Sequence, residues 1–254
     1  MKKKRRPRVH KVGNDKNLTL VGHLTELRKR ILVMGLLFLS CSLLAYQFSE
    51  IFIRQLVQLV PEVSFVFISP AELLMATIKL AFLMGFVLSS PLIFMEVWLF
   101  LRPALKKAER GAIVGAFLFG TVFFILGAVF SYHVVLPLMI RFFLSFEMEG
   151  IEAMISFQSY LTLVVNTMVS FGLVFELPSV MVILTRLHVV TPKLLKKYRK
   201  YCILVMFVLA AVLTPPDIIS QCMLALPMLL LFELGIVLSS LTVKKQKKKE
   251  VFVP

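Results

Sequence analysis

The chain has 254 residues, of which 59% are hydrophobic, and its mean hydropathy is +0.89. A soluble domain is usually about 45–50% apolar, so this composition excludes an ordinary water-soluble globule. Only 17% of residues are charged, yet 29 Lys and Arg stand against 14 Asp and Glu. An apolar, basic chain indicates a membrane protein of several spans with basic loops, and it leaves no room for a catalytic domain outside the bilayer.

Six apolar segments are predicted to cross the membrane as helices. They are residues 31–48, 72–101, 111–136, 159–187, 201–213 and 218–243. The fifth segment is short, because only 14 residues lie between Lys200 and Pro215, roughly 21 Å of helix against a hydrocarbon core of about 30 Å. We therefore expect either a thin bilayer at this helix or shielding of the helix by its neighbours.

Positive charge is concentrated in segments that alternate along the chain. With six spans these segments fall on one side, so the positive-inside rule places both termini in the cytoplasm. The basic segments are residues 1–30, 102–110, 186–200 and 244–249, which hold 26 of the 29 Lys and Arg residues. The predicted organisation is a basic cytoplasmic N-terminal segment with a pre-membrane helix (1–30), a six-span transmembrane domain (31–243) and a basic cytoplasmic tail (244–254).

The segments outside the membrane differ between the two sides. The lysine-rich ends of the chain are expected to be solvated tails that hold anionic lipid. They contain almost no aromatic residues that could stack on bases, so no nucleic-acid binding is predicted. On the other side, the loops at 49–71 and 137–158 are long enough to hold an amphipathic helix at the membrane surface.

No catalytic or cofactor-binding pattern is present in the sequence. There is no HExxH motif, no Gly-rich phosphate loop and no Ser/His/Asp pattern in register. Cys41, Cys202 and Cys222 have no paired spacing, and the four histidines are too scattered for a metal-ligand set. We therefore expect a protein that is not an enzyme and that holds neither a cofactor nor a metal.

Three ionisable residues are predicted to lie within the bilayer, where charged groups are costly. Glu176 is ten residues from Arg186 and so near the midplane, and Pro178 bends the helix beside it. Glu233 lies at a similar depth in the sixth span, and Lys79 lies about 10 Å from the external end of the second. Each is either a functional group or a structural ion or hydrogen-bond partner inside the bundle.

Acidic residues are scarce on the predicted cytoplasmic face. Of the four acids there, Asp15 and Glu250 belong to the tails. Glu26 and Glu109 instead lie at the starts of the first and third spans, where loops meet the bilayer. Both also have a local interpretation, Glu26 as the i,i+4 partner of Arg30 and Glu109 as a first-turn acid favoured by the helix dipole.

Short motifs mark the ends of the predicted spans in a fixed order. They are HLTELRKR (23–30), SPAE (69–72), SPLI (90–93), WLFLRPAL (98–105), FELP (175–178), TPPDIISQ (214–221) and LFELG (231–235). The ordered set resembles the TatC family, the large membrane subunit of twin-arginine protein translocases. The resemblance covers the chain from about residue 20 to 242, and Glu96 departs from it where an uncharged amide is usual.

The resemblance implies an all-α, cup-shaped bundle of six transmembrane helices with both termini cytoplasmic and the last two helices short. It implies a receptor for Arg-Arg signal peptides that assembles with single-span TatA- and TatB-type partners and with further copies of itself. Folded proteins would be exported with the proton-motive force and without nucleotide. A bacterial inner membrane is the expected location, and a plastid membrane is the alternative.

The resemblance also implies roles for particular residues. Glu26 and Glu109 would face the arginine pair, and the physical reasoning agrees, because a strongly basic surface repels a diarginine ligand unless carboxylates are set into it. The remaining residues implied are Leu24, Arg28 and Phe100 beside those acids, Glu176 as the polar group of the concave membrane face, and Pro215, Pro216 and Asp217 in an external turn.

The main alternative function is a proton-coupled small-molecule transporter that uses Glu176, Glu233 and Lys79. It would need a substrate cavity between two similar halves, and no internal repeat is visible in the sequence. An intramembrane enzyme is less favoured, because the sequence offers neither a nucleophile arrangement nor metal ligands.

Overall fold

Helices make up nearly all of the described chain, as the apolar segments predict. The structure is a computed structural model that describes residues 20–61, 63–67, 69–102, 107–146, 154–213 and 218–251. Within these ranges the helices are α1 (Leu20–Tyr46), α2 (Ser49–Gln58), α3 (Pro70–Leu101), α4 (Lys107–Phe130), α5 (Leu136–Leu144), α6 (Phe157–Phe175), α7 (Leu177–Arg186), α8 (Pro192–Lys197), α9 (Arg199–Leu213) and α10 (Ile218–Val251). A π-helical turn (Ser131–Val135) and two short strands, β1 (Phe65–Val66) and β2 (Ile155–Ser156), complete them.

Five stretches of the described residues are long and apolar enough to cross a membrane. They are Gly22–Tyr46, Pro70–Leu101, Val114–Leu144, Phe157–Arg186 and Ile218–Val243, which match the predicted first, second, third, fourth and sixth spans. The predicted fifth span is α9, and its 15 residues are fewer than a helix needs to cross a normal bilayer alone. The molecule is therefore a helical integral membrane protein of several spans.

Two of the membrane-spanning stretches are interrupted where proline removes a backbone donor. The fourth breaks at Glu176, the residue between α6 and α7, two positions before Pro178. This break confirms the predicted bend. The third carries the π-helical turn directly before Pro137, the second residue of α5, and the sequence analysis did not predict that turn. The first helix is unbroken from Leu20, so it runs through the predicted boundary at residue 30.

Pairwise helix packing builds the interior. α1 packs against α3, α4 packs against α6 and α7, and α10 packs against α7 and α9. Large apolar side chains fill these contacts, and those that are almost completely buried include Phe124, Leu161, Phe171, Leu224 and Met228. Many other apolar side chains are exposed on the helix surfaces, which is the arrangement expected of a protein whose solvent is lipid.

The segments between spans on the predicted external side contact one another. The first of them holds α2 and β1, and β1 pairs in parallel with β2 from the second, with Phe65 opposite Ile155. Beside this pair, the Tyr160 hydroxyl donates a 2.7 Å hydrogen bond to the carbonyl oxygen of Leu56 in α2. Two loops that are far apart in sequence therefore form one joined surface.

Candidate functional site

An arginine held between two carboxylates joins α1 to α3. Arg30 of α1 donates from Nη1 to Oε2 of Glu96 in α3 at 2.6 Å, and from Nη2 to Oε1 of Glu26 at 3.2 Å. Glu26 and Arg30 are one helical turn apart, so the predicted local pairing is present. The contact with Glu96 was not predicted, because its partner lies 66 residues away in the sequence.

An aromatic contact lies on the same faces of the two helices. The rings of His23 and Phe100 stack with their centroids 4.4 Å apart and an interplanar angle of 19°. Phe100 follows Glu96 by one turn of α3, and His23 precedes Glu26 by about one turn of α1. We call these five residues, His23, Glu26, Arg30, Glu96 and Phe100, the α1–α3 junction.

The structure does not gather the whole predicted signal-peptide site at this junction. Leu24 and Arg28 are exposed on a different face of α1, and Leu24 is 64% exposed. Glu109 lies in the first turn of α4, and its side chain is outside what the structure describes. The external-turn residues Pro215, Pro216 and Asp217 also lie outside the described residues.

Glu176 is buried where α6 meets α7, and its carboxyl faces α4. A Cβ placed on Gly120 of α4 would lie 2.7 Å from Glu176 Oε2 and 2.8 Å from Ser179 Oγ. Ser179 in turn donates a 2.9 Å hydrogen bond to the carbonyl oxygen of Ala116. The other carboxyl oxygen of Glu176 is buried and has no hydrogen-bond partner among the described residues. Gly120 is a contact that the sequence analysis missed as part of this site.

The other two ionisable residues that were predicted to lie in the membrane have partners of their own. Lys79 donates a 3.0 Å hydrogen bond to the hydroxyl of Thr162 in α6. Glu233 of α10 forms an ion pair with Arg199, the first residue of α9. Lys79, Glu176 and Glu233 therefore contact different elements, whereas the transporter alternative requires them to share a cavity.

These observations define a class of protein. It is a helical membrane protein in which Arg30, Lys79 and Glu233 make contacts between helices. In the described part of the chain no three His, Cys, Asp or Glu residues are grouped to hold a metal ion. The family model for the Sec-independent protein translocase protein TatC matches residues 22–227. The chain belongs to the TatC family.

Relatives support this assignment over almost the whole chain. TatC of Carboxydothermus hydrogenoformans is 38% identical and covers 91% of this chain and 97% of its own length. TatC of Escherichia coli K12 is 35% identical, with 91% and 92% covered. A crystal structure described as the twin-arginine translocase receptor TatC is 36% identical, superposes with a TM-score of 0.78, and covers 87% of this chain and 99% of that one.

The family settles the general function. The chain is a membrane subunit of the twin-arginine translocase, a bacterial system that moves proteins by a Sec-independent route and in which it acts with other components. The family is one of transport proteins and not of enzymes. The small-molecule transporter alternative is not favoured.

Proposed function

We propose that this subunit is the receptor that binds Arg-Arg signal peptides at the cytoplasmic face, for export of folded proteins with the proton-motive force. The single observation that carries the proposal is the α1–α3 junction, where two carboxylates and an aromatic ring lie together on a strongly basic chain. Glu109 in the first turn of α4 supplies the second of the two arginine-reading acids. The helix dipole favours negative charge at that position.

Arginine is the cation that such a site selects. Its planar guanidinium donates paired hydrogen bonds to a carboxylate and stacks on an aromatic face, whereas lysine is a compact point charge. Phe100, whose ring stacks with that of His23, supplies the aromatic ring of the junction. Leu24 and Arg28, which point away from the junction, would contact the signal peptide on either side of its arginine pair.

The proposed topology has six spans with both termini in the cytoplasm of a bacterial cell, the protein lying in the inner membrane as a cup-shaped bundle. The alternation of basic segments supports it, since they carry 26 of the 29 Lys and Arg residues. α9 would be the fifth span and would cross where the bilayer is thin. The lysine-rich tails would lie on anionic lipid.

The proposed partners bind through the membrane-embedded surface. Single-span TatA- and TatB-type helices would dock at the concave face beside Glu176, and further copies of the chain would complete the complex. The buried carboxyl oxygen of Glu176 supports this proposal, because it has no hydrogen-bond partner among the described residues and a docking helix would supply one.

Replacement of the two acids by glutamine tests the proposal. Glu26→Gln or Glu109→Gln keeps the side-chain shape and removes one charge-assisted contact of about 1.5–3 kcal/mol, so Arg-Arg precursor binding should weaken roughly tenfold or more. The double variant should lose nearly all discrimination between Arg-Arg and Lys-Lys precursors. Binding is measured in membranes at two salt concentrations for both dibasic pairs.

Glu50→Gln is the matched control. It breaks an i,i+4 ion pair with Arg54 on α2, away from the α1–α3 junction, and should leave precursor selectivity unchanged. General membrane affinity should persist in every variant, because the tails and the apolar part of the precursor still meet lipid. A wild-type Arg-Arg preference in the double variant would refute the proposed site.

A further inference from the structure

The charge balance of the α1–α3 junction depends on Glu96. Glu26 and Arg30 alone would form a neutral pair, in which the arginine of the chain already satisfies the carboxylate that should read an incoming arginine. Glu96 adds a second carboxylate to the same guanidinium. The three charged groups together therefore carry one net negative charge, which is the balance that accepts one further guanidinium.

The two contacts of Arg30 are unequal. The distance from Arg30 to Glu96 is 2.6 Å, and the Glu96 side chain is 13% exposed. The distance from Arg30 to Glu26 is 3.2 Å, and the Glu26 side chain is 26% exposed. A shorter contact with less solvent around it is the stronger one, because water screens it less. Arg30 is thus held chiefly by Glu96, and Glu26 is the carboxylate that it can release.

We propose that Glu96 is a specificity-determining residue, which retains Arg30 so that the first arginine of the signal peptide can take over Glu26. Arg30 acts as an internal occupant of the site in the free protein. On binding, the ligand guanidinium replaces the Nη2 contact at Glu26, and Arg30 keeps its Nη1 contact with Glu96. After the exchange Arg30 is paired with Glu96 and the ligand guanidinium with Glu26, and a ligand cation that cannot displace a guanidinium does not bind.

This inference rests on the proposed function, since it needs Glu26 to read the arginine pair. With a neutral residue at position 96, Arg30 would stay paired with Glu26 at i,i+4 and would compete with the ligand arginine.

Charge-neutral variants of the full chain in membranes test the exchange. The probe is a fluorescent synthetic signal peptide with an Arg-Arg pair, compared with its Lys-Lys counterpart. Glu96→Gln should weaken Arg-Arg binding about tenfold, because Arg30 then holds Glu26 alone. Arg30→Gln should leave Arg-Arg binding at least as tight and raise Lys-Lys binding. Glu96→Gln combined with Arg30→Gln should recover Arg-Arg binding, because Glu26 is then free, and the net charge of the protein stays that of wild type because one charge of each sign is removed.

The outcomes separate this inference from the proposed function. If Glu96→Gln binds as wild type while Glu26→Gln loses binding, Glu96 has no such role and the receptor proposal stands. If the double variant is as weak as Glu96→Gln alone, Arg30 is not the competing group and the exchange is refuted. If Glu26→Gln itself leaves binding and selectivity intact, the receptor site fails first. Glu50→Gln serves again as the control for loss of one carboxylate in an ion pair.

Discussion

The carboxyl of Glu176 is buried against Gly120, and this position limits how it can contact a partner. Its Oε2 atom occupies the space beside Gly120 that a side chain would fill, and Ser179 lies next to it. The side chain is 8% exposed, so a partner helix reaches it only if the carboxyl turns from α4 toward lipid or the partner displaces its neighbours. Glu176 is thus a buried polar group that a partner helix can contact only after a rearrangement of its side chain or its neighbours.

Substitutions at Glu176 and Gly120 test whether this buried carboxyl recruits partners. Glu176→Ala should fold and bind precursor but crosslink poorly to TatA- and TatB-type helices. Gly120→Ala should displace the carboxyl, since the ends of two flexible side chains lie within 3 Å of the new Cβ. It should therefore alter partner crosslinking with the carboxyl still present.

Gly115→Ala is the matched control for the glycine change. Gly115 lies on the same helix and has no atom within 4 Å of a Cβ placed there, so the added methyl group should change neither stability nor crosslinking. Partner crosslinking of Glu176→Ala equal to that of wild type would show that the group is only structural.

Residue roles were predictable from the sequence where the signal was local or carried by a family motif. Glu26 and its pairing with Arg30 follow from the i,i+4 spacing, and Phe100 follows from the motif at 98–105. The contact between Arg30 and Glu96 could not be predicted, since it depends on how α1 and α3 are rotated about their axes. Gly120 was missed for the same reason, because nothing in its own segment indicates that the carboxyl of Glu176, between α6 and α7, fills the space beside it.

At the scale of elements, α9 is the part of the fold most at odds with a normal bilayer. It has 15 residues, roughly 22 Å of helix, and it is fixed to α10 at two levels. The ion pair between Arg199 and Glu233 is at its first residue, and the Gln221 amide donates a 3.1 Å hydrogen bond to the carbonyl oxygen of Phe207. These two contacts fix the position of α9 along α10.

Lengthening α9 tests whether a thin bilayer matters for transport. Four Leu residues inserted after Leu209 add about one turn, or roughly 6 Å, beyond both contacts with α10. Export should fall while precursor binding stays, because the lengthened helix restores the bilayer to normal thickness. Export is measured with a folded reporter and binding with the Arg-Arg precursor.

A variant with Val205→Leu, Val208→Leu and Val212→Leu is the control for that insertion. All three positions are exposed on α9, so the changes add apolar bulk without adding length. Undiminished export by the insertion variant would exclude a role for thinning.

Element boundaries were less predictable than the elements themselves. Hydropathy located the five long apolar stretches, because about 20 apolar residues in succession are typical of a membrane-spanning helix. The sequence indicated a helix before the first span, and the structure joins the two into one unbroken helix from Leu20, because a helix can continue from lipid into the headgroup region with no change of backbone. The π-helical turn at 131–135 could not be predicted, because one extra residue in a turn does not alter the hydrophobic pattern of a segment that is apolar throughout.

At the scale of the whole molecule, the distribution of charge predicts a sidedness that labelling can test. In a background with Cys41, Cys202 and Cys222 replaced by Ser, Gln58→Cys and Val189→Cys each place one thiol at an exposed position between spans. A membrane-impermeant maleimide should label Gln58→Cys in intact spheroplasts and Val189→Cys only after permeabilisation. Labelling of both from the same side would contradict the six-span topology.

The class of the whole molecule was the easiest feature to predict. Composition alone excluded a soluble protein, and the motif order identified the family that the relatives then confirmed. Packing could not be predicted, because lipid-facing and buried positions are both apolar here, so hydrophobic periodicity carries little information about which face of a helix meets another.

The pairing of β1 with β2 has a consequence for biogenesis. The ribosome delivers β1 and α2 before the third and fourth spans, whereas β2 and Tyr160 lie at the start of the fourth. In the proposed topology, the first three spans therefore enter the lipid before β1 has its strand partner. The parallel pair forms only after the segment that follows α5 has crossed the membrane and α6 has inserted.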